Sequence, residues 1–140
     1  MGKNGISNAD VEAALRAQLS AEGYALSALR QQGETGVDIV ARRGTEVIHI
    51  ECIGYKSSGP ARAFDFYQSF FRIVSRLNDG AKRLVIAQAA QAEVGLPARA
   101  KQHRVAWERI GDGFPELELW LVSVDGLPRK ETHWNDWLGR

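Results

Sequence analysis

At 140 residues the chain has the length of one domain with a single sizeable core, which excludes a second catalytic domain. Lysine and arginine number 18 against 17 for aspartate and glutamate, so the net charge of +1 excludes a global attraction to a polyanion, and nucleic-acid affinity would have to come from local basic clusters. The single cysteine, Cys52, excludes a disulfide framework or zinc-ligand spacing, while the polar N-terminus and the lack of a long apolar run give the expectation of a cytoplasmic protein with no membrane span.

In chain order, Ser7 or Asn8 can cap a helix whose apolar positions Val11, Leu15 and Leu19 recur every four residues, with Gly23 as its stop. Residues 24–30 read as a weak strand and 31–36 as a polar, glycine-bearing turn. Residues 37–42 and 46–53, joined through Arg43-Gly44-Thr45, read as a β-hairpin rich in β-branched residues. A loop over 56–61 leads into a strongly amphipathic helix over 62–77. Two adjacent stripes, Phe64, Tyr67, Phe71 and Val74 beside Phe66, Phe70, Ile73 and Leu77, predict a broad buried face, and the opposite stripe carries Asp65, Gln68, Arg72 and Arg76.

Asn78-Asp79-Gly80 stops that helix. The apolar run over 83–89 suits a strand covered on both faces. A helix is expected over 97–110, ended by Gly111-Asp112-Gly113, and a last strand over 117–124. Trp134 and Trp137 belong to a tail that either packs onto the domain or offers exposed aromatics to a partner. Helix, three strands, helix, strand, helix, strand implies an α/β fold with a mixed β-sheet and helices on both faces, as one domain over 1–140.

Strand alternation puts Val37, Ile39 and Ala41 on one face and Asp38 with Val40 on the other; in the partner strand His49, Glu51 and Ile53 oppose Ile48, Ile50 and Cys52. Two acids in apolar strands each need a compensating charge. Singly, each is explained by a turn cap or an arginine partner; together they suit a shared divalent cation, because Mg²⁺ takes one or two carboxylates and keeps several waters. Such a metal can activate water and neutralise phosphate charge.

Gly36-Val37-Asp38-Ile39-Val40-Ala41, followed by Ile50-Glu51-Cys52-Ile53-Gly54-Tyr55, resembles the core of the PD-(D/E)XK nucleases, in particular the branch with Holliday-junction resolvases and type IV restriction endonucleases. The resemblance extends over most of the chain through the order of its elements. It implies a restriction-endonuclease-like fold and a metal-dependent DNA endonuclease using Mg²⁺ or Mn²⁺. Carried over by position, Asp38 and Glu51 become metal ligands, Glu12 the additional acid on the first helix, and Gln68 the polar residue that relatives place on the helix after the motif.

The family pattern calls for lysine two residues after the glutamate, and here that residue is Ile53. Lys56, which follows the flexible Gly54, is either its replacement as a catalytic group or an ordinary loop lysine; Lys82 is a more remote substitute. Arg42 and Arg43 beside the hairpin turn, and Arg72 and Arg76 on the helix, are candidate phosphate contacts. His49 shares the face of Glu51 as a candidate general base or ligand, and His103 sits in a basic patch with Arg99, Lys101 and Arg104. The alternative function is a DNA-binding or protein-assembly module that keeps the fold without catalysis. Small size suggests a homodimer or a larger protein partner.

Overall fold

The computed structural model describes residues 5–31 and 36–139; most of the predicted turn over 31–36 lies outside the described residues. Ser7 is the cap of α1 (Asn8–Ala21): its hydroxyl accepts from the Asp10 amide and the Asp10 carboxylate accepts from the Ser7 amide. With the cap settled on Ser7, Asn8 is free to bond elsewhere, and its side-chain oxygen accepts from the Gly54 amide at 2.7 Å. Val11, Leu15 and Leu19 are buried.

Among the described residues six strands follow one another across a single sheet in sequence order: β1 (Ala25–Leu26), β2 (Ile39–Arg43), β3 (Glu46–Ile53), β4 (Leu84–Ala89), β5 (Leu117–Val122) and β6 (Lys130–His133). The pairings β3/β4 and β4/β5 are parallel, and the other three are antiparallel. The connections between the parallel strands carry α2 (Gly59–Val74) and then α3 (Leu96–Gln102) and α4 (Arg104–Gly113). Two successive parallel crossovers stepping in one direction deliver their helices to the same face.

That face packs Phe66, Ile73, Leu96 and Trp107 against Leu84, Ile86, Leu119 and Leu121, while the opposite face packs α1 against Ile39, Ile50, Cys52, Val85 and Trp120. The molecule is thus α/β, with a mixed sheet flanked by helices on both faces. Among the described residues no helix is long and apolar enough to cross a membrane.

Several elements differ from the sequence reading. The first strand is shorter than 24–30: at Ser27 the backbone amide still donates to the Val40 carbonyl, but the Ser27 hydroxyl and not its carbonyl accepts from the Val40 amide, at 2.9 Å, so the regular ladder ends there. The second begins only at Ile39. Gly36, with φ +113°, and the bend at Asp38 turn Val37 toward the face of Ile53 and Phe66, opposite to Ile39 and Ala41. The single helix over 97–110 is two, broken at His103, and Gly111-Asp112-Gly113 lies inside α4. There Gly111 is a packing residue: a Cβ would stand 1.9 Å from the Asn135 side chain.

The two apolar stripes of α2 are unequally buried. Phe66 and Ile73 face the sheet, but Phe64 and Phe71 are 65% and 73% exposed, as the helix turns its second stripe outward. The tail does the reverse of offering aromatics to a partner. It adds β6 and a 3₁₀ turn over Trp134–Trp137, and both tryptophans are buried. Trp107 and Trp134 stack with ring centroids 4.0 Å apart, and each indole N–H donates to the other residue's carbonyl, so two bulky donors are buried with their polar atoms satisfied.

Candidate functional site

Asp38 and Glu51 meet where β2 has not yet begun and β3 is ending. The late start of β2 leaves the Cys52 amide without a backbone partner on that side, and the Asp38 carboxylate takes its place, Oδ2 accepting from it at 2.8 Å. Oδ1 accepts from Arg30 at 3.1 Å, and the Asp38 carbonyl accepts from Arg16 at 2.9 Å, which anchors the bend to α1. The aspartate is therefore fixed by its surroundings before any ligand arrives.

Glu51 lies on the α2 face of β3, beside Ile86 of β4, and is 1% exposed. Its Oε2 is 3.5 Å from Arg72 of α2, and its Oε1 is buried with no hydrogen-bond partner among the described residues. Burial first, then the charge of Asp38 and a hydrogen bond to it, push the Glu51 carboxyl up to about 7, with Arg30 and Arg72 acting weakly in the other direction. The pair as it stands holds its second negative charge at a cost, and a cation would remove that cost. The Cys52 thiol beside them is pushed well up by burial and is inert as a nucleophile.

The acids open into a small cavity of about 60 Å³, lined also by Ile53, Asp65, Gln68, Ser69 and Arg72. Of the predicted residues the structure brings together Asp38, Glu51, Gln68 and Arg72. Glu12 is held by Arg16 of its own helix at 2.8 Å and does not line the cavity. Among the described residues no group of three or more histidine, cysteine, aspartate or glutamate side chains could jointly hold a metal.

Lys56 does not swing back to Glu51: its ammonium is 3.1 Å from Asp65. The reason lies in Gly54, where a Cβ would come 1.9 Å from the Ile6 carbonyl oxygen. That glycine admits the N-terminal segment, whose Ile6 exchanges backbone hydrogen bonds with Tyr55, and this crossing directs the chain toward α2.

Arg42 and Arg43 are at the hairpin turn, which is the opposite end of β2 from Asp38. Arg42 lines another cavity with His49 and Lys82, and Arg43 stacks over Tyr24 while pairing with Glu46. Arg76 pairs with Asp79 beyond the end of α2. Burial pushes the His49 imidazole down from its ordinary value, and its Nδ1 has no partner among the described residues. His103 bonds the Tyr67 hydroxyl at 2.9 Å.

Sequence reasoning missed Arg30, Asp65 and Ser69. Asp65 was legible, because it shares a helical stripe with Gln68 and Arg72 at spacings of three and four. Arg30 carried no local signal; only the fold brings it to Asp38. Comparison of the chain with protein-family models, with curated proteins and with solved structures found no match.

Proposed function

We propose that this protein is a metal-dependent deoxyribonuclease of the PD-(D/E)XK type, with Asp38 and Glu51 as the ligands of Mg²⁺ or Mn²⁺. The observation that carries the reading is the partnerless, buried Oε1 of Glu51 beside Asp38. Two carboxylates are enough for Mg²⁺, which fills its remaining positions with water, so the absence of a third acid is compatible with the ion. When bound, the cation supplies water activation and charge neutralisation on a phosphodiester.

The chain's own residues do the rest. The Cys52 amide and Arg30 hold Asp38 in one orientation. Arg72, half exposed and only loosely bonded to Glu51, is available to a phosphate once Glu51 is neutralised by another charge. Gln68 presents an amide to the same cavity, suited to orienting a water or a phosphate oxygen. Lys56, tied to the cavity-lining Asp65, stands next to the site and not beside Glu51. Ile53 supplies neither charge nor hydrogen bond.

Purified protein with Mg²⁺ or Mn²⁺, offered duplex, single-stranded and branched DNA, is expected to cut at least one of them, and Asp38→Ala and Glu51→Ala to abolish cutting. No cutting of any substrate, together with no Mn²⁺ binding, overturns the proposal. A second reading, a DNA-binding or assembly module derived from a nuclease, is favoured by one specific observation: Ile53 occupies the lysine position while Arg30 and Arg72 already lie against the two acids. It predicts binding that survives Asp38→Ala and Glu51→Ala.

A further inference from the structure

A second cavity, of about 140 Å³, shares Ile53 with the acid pair. It opens at the carboxyl ends of the parallel strands β3 and β4, where Ile53 pairs with Gln88, the place at which open α/β sheets bind ligands. Its chemistry is one-sided. Arg62 of α2 and Arg99 of α3 line it, no acidic side chain does, and neither arginine forms an ion pair with a described carboxylate.

Both guanidinium groups are nevertheless held in place. Arg62 donates to the Lys56 carbonyl at 2.7 Å and lies over the Tyr55 ring; Arg99 lies over Phe66. Between the helices Gln88 is 5% exposed, and its amide nitrogen is buried without a hydrogen-bond partner among the described residues. A buried donor left unpaired costs stability, and a strand position facing two arginines is served more cheaply by leucine. Two fixed cations and a spare donor around a glycine-edged cavity (Gly54, Gly59, Gly95) match a tetrahedral oxyanion.

We propose that this cavity binds one phosphoryl group, with Arg62, Arg99 and the Gln88 amide as its donors. On the nuclease reading, on which this last step rests, the group is a backbone phosphate of a DNA strand that runs past the acid pair; the same chemistry would bind a free phosphate monoester.

The test uses the full chain in EDTA at constant ionic strength, titrated with inorganic phosphate, with thymidine 5′-monophosphate and with a short single-stranded oligonucleotide. Calorimetry is expected to show saturable phosphate binding. Arg62→Gln and Arg99→Gln should each weaken it at least about tenfold, the loss of a hydrogen bond to a charged group. Gln88→Leu is expected to weaken binding while leaving Tm without phosphate unchanged or raised; a lowered Tm with unchanged affinity would assign Gln88 a structural role and overturn its part. Competition between oligonucleotide and phosphate supports the site and identifies a strand phosphate as its ligand, whereas binding of the monophosphate alone supports a small-molecule phosphoryl site. Retention of phosphate binding by Asp38→Asn supports a site separate from the acid pair, even if no DNA is cut. Absence of saturable binding, or binding unchanged in both arginine variants, overturns the proposal.

Discussion

The Glu51→Gln substitution isolates the energetic signature of the acid pair. Glu51 titrates at about 7 in the folded protein against an ordinary value of 4.5. Below pH 4.5 the carboxyl is protonated in both folded and unfolded chains, and the native state bears no penalty. As pH rises from there the unfolded chain ionises first, so native stability falls by about 1.4 kcal/mol per pH unit until the folded carboxyl ionises too, a total of about 3 kcal/mol above pH 7.

Arg72 does not recover this, because its guanidinium is half exposed and 3.5 Å away, and solvent screens it. Glutamine has the same shape and cannot ionise. The variant is therefore expected to match the parent at pH 4 and to exceed it by about 2–3 kcal/mol at pH 8. Urea denaturation in EDTA at pH 4, 6 and 8 measures the difference. A gap of constant size across that range refutes the argument. At pH 8, Mg²⁺ or Mn²⁺ should narrow the gap by stabilising the parent alone, through mass action on the folded state.

Other expectations come from the same geometry. Mn²⁺ binding at pH 6 should release close to one proton, and at pH 8 almost none, because the ion displaces the proton that Glu51 retains below about 7; calorimetry in buffers of different ionisation enthalpy reads this, and equal release at both pH values contradicts it. Ile53→Lys should lower stability by about 2–4 kcal/mol through loss of a buried side chain, while raising metal-dependent cutting by placing an ammonium in the acid cavity; a folded variant with no gain in cutting argues against a catalytic pair. Gly54→Ala should cost at least about 2 kcal/mol, since its methyl would stand 1.9 Å from the Ile6 carbonyl oxygen and the obstacle is backbone; a change under about 0.5 kcal/mol in chemical denaturation would show that the crossing of the N-terminal segment yields.

Periodicity carried the fold reading where one local rule governed. The four-residue spacing of Val11, Leu15 and Leu19 gave α1, and two-residue alternation correctly placed Glu51 and Ile53 on the face opposite Ile50 and Cys52. It failed where packing from elsewhere decided. Two apolar stripes on α2 look alike in the sequence, but Phe66 and Ile73 are buried on the sheet while Phe64 and Phe71 are exposed, and the helix over 97–110 breaks at His103 without any glycine or proline at the break to mark it. Trp134 and Trp137 were ambiguous as a tail because their partners, Trp107 and Thr132, are brought to them only by the last crossover and strand.

For the candidate site, the sequence by itself determined that Glu51 shares a face with Ile53 on its strand and that Gln68 and Arg72 share a stripe of the facing helix, because each lies within an element whose period is fixed by backbone geometry, while Asp38 was legible only as an acid beside its apolar strand. Only the tertiary structure decided the counter-ions. Arg30, itself outside any regular element, reaches Asp38, Asp65 takes Lys56, and the hairpin carries Arg42 and Arg43 to the far end of β2. Charge pairing is a long-range choice among many partners, and three-dimensional proximity, which no short sequence window contains, settles it.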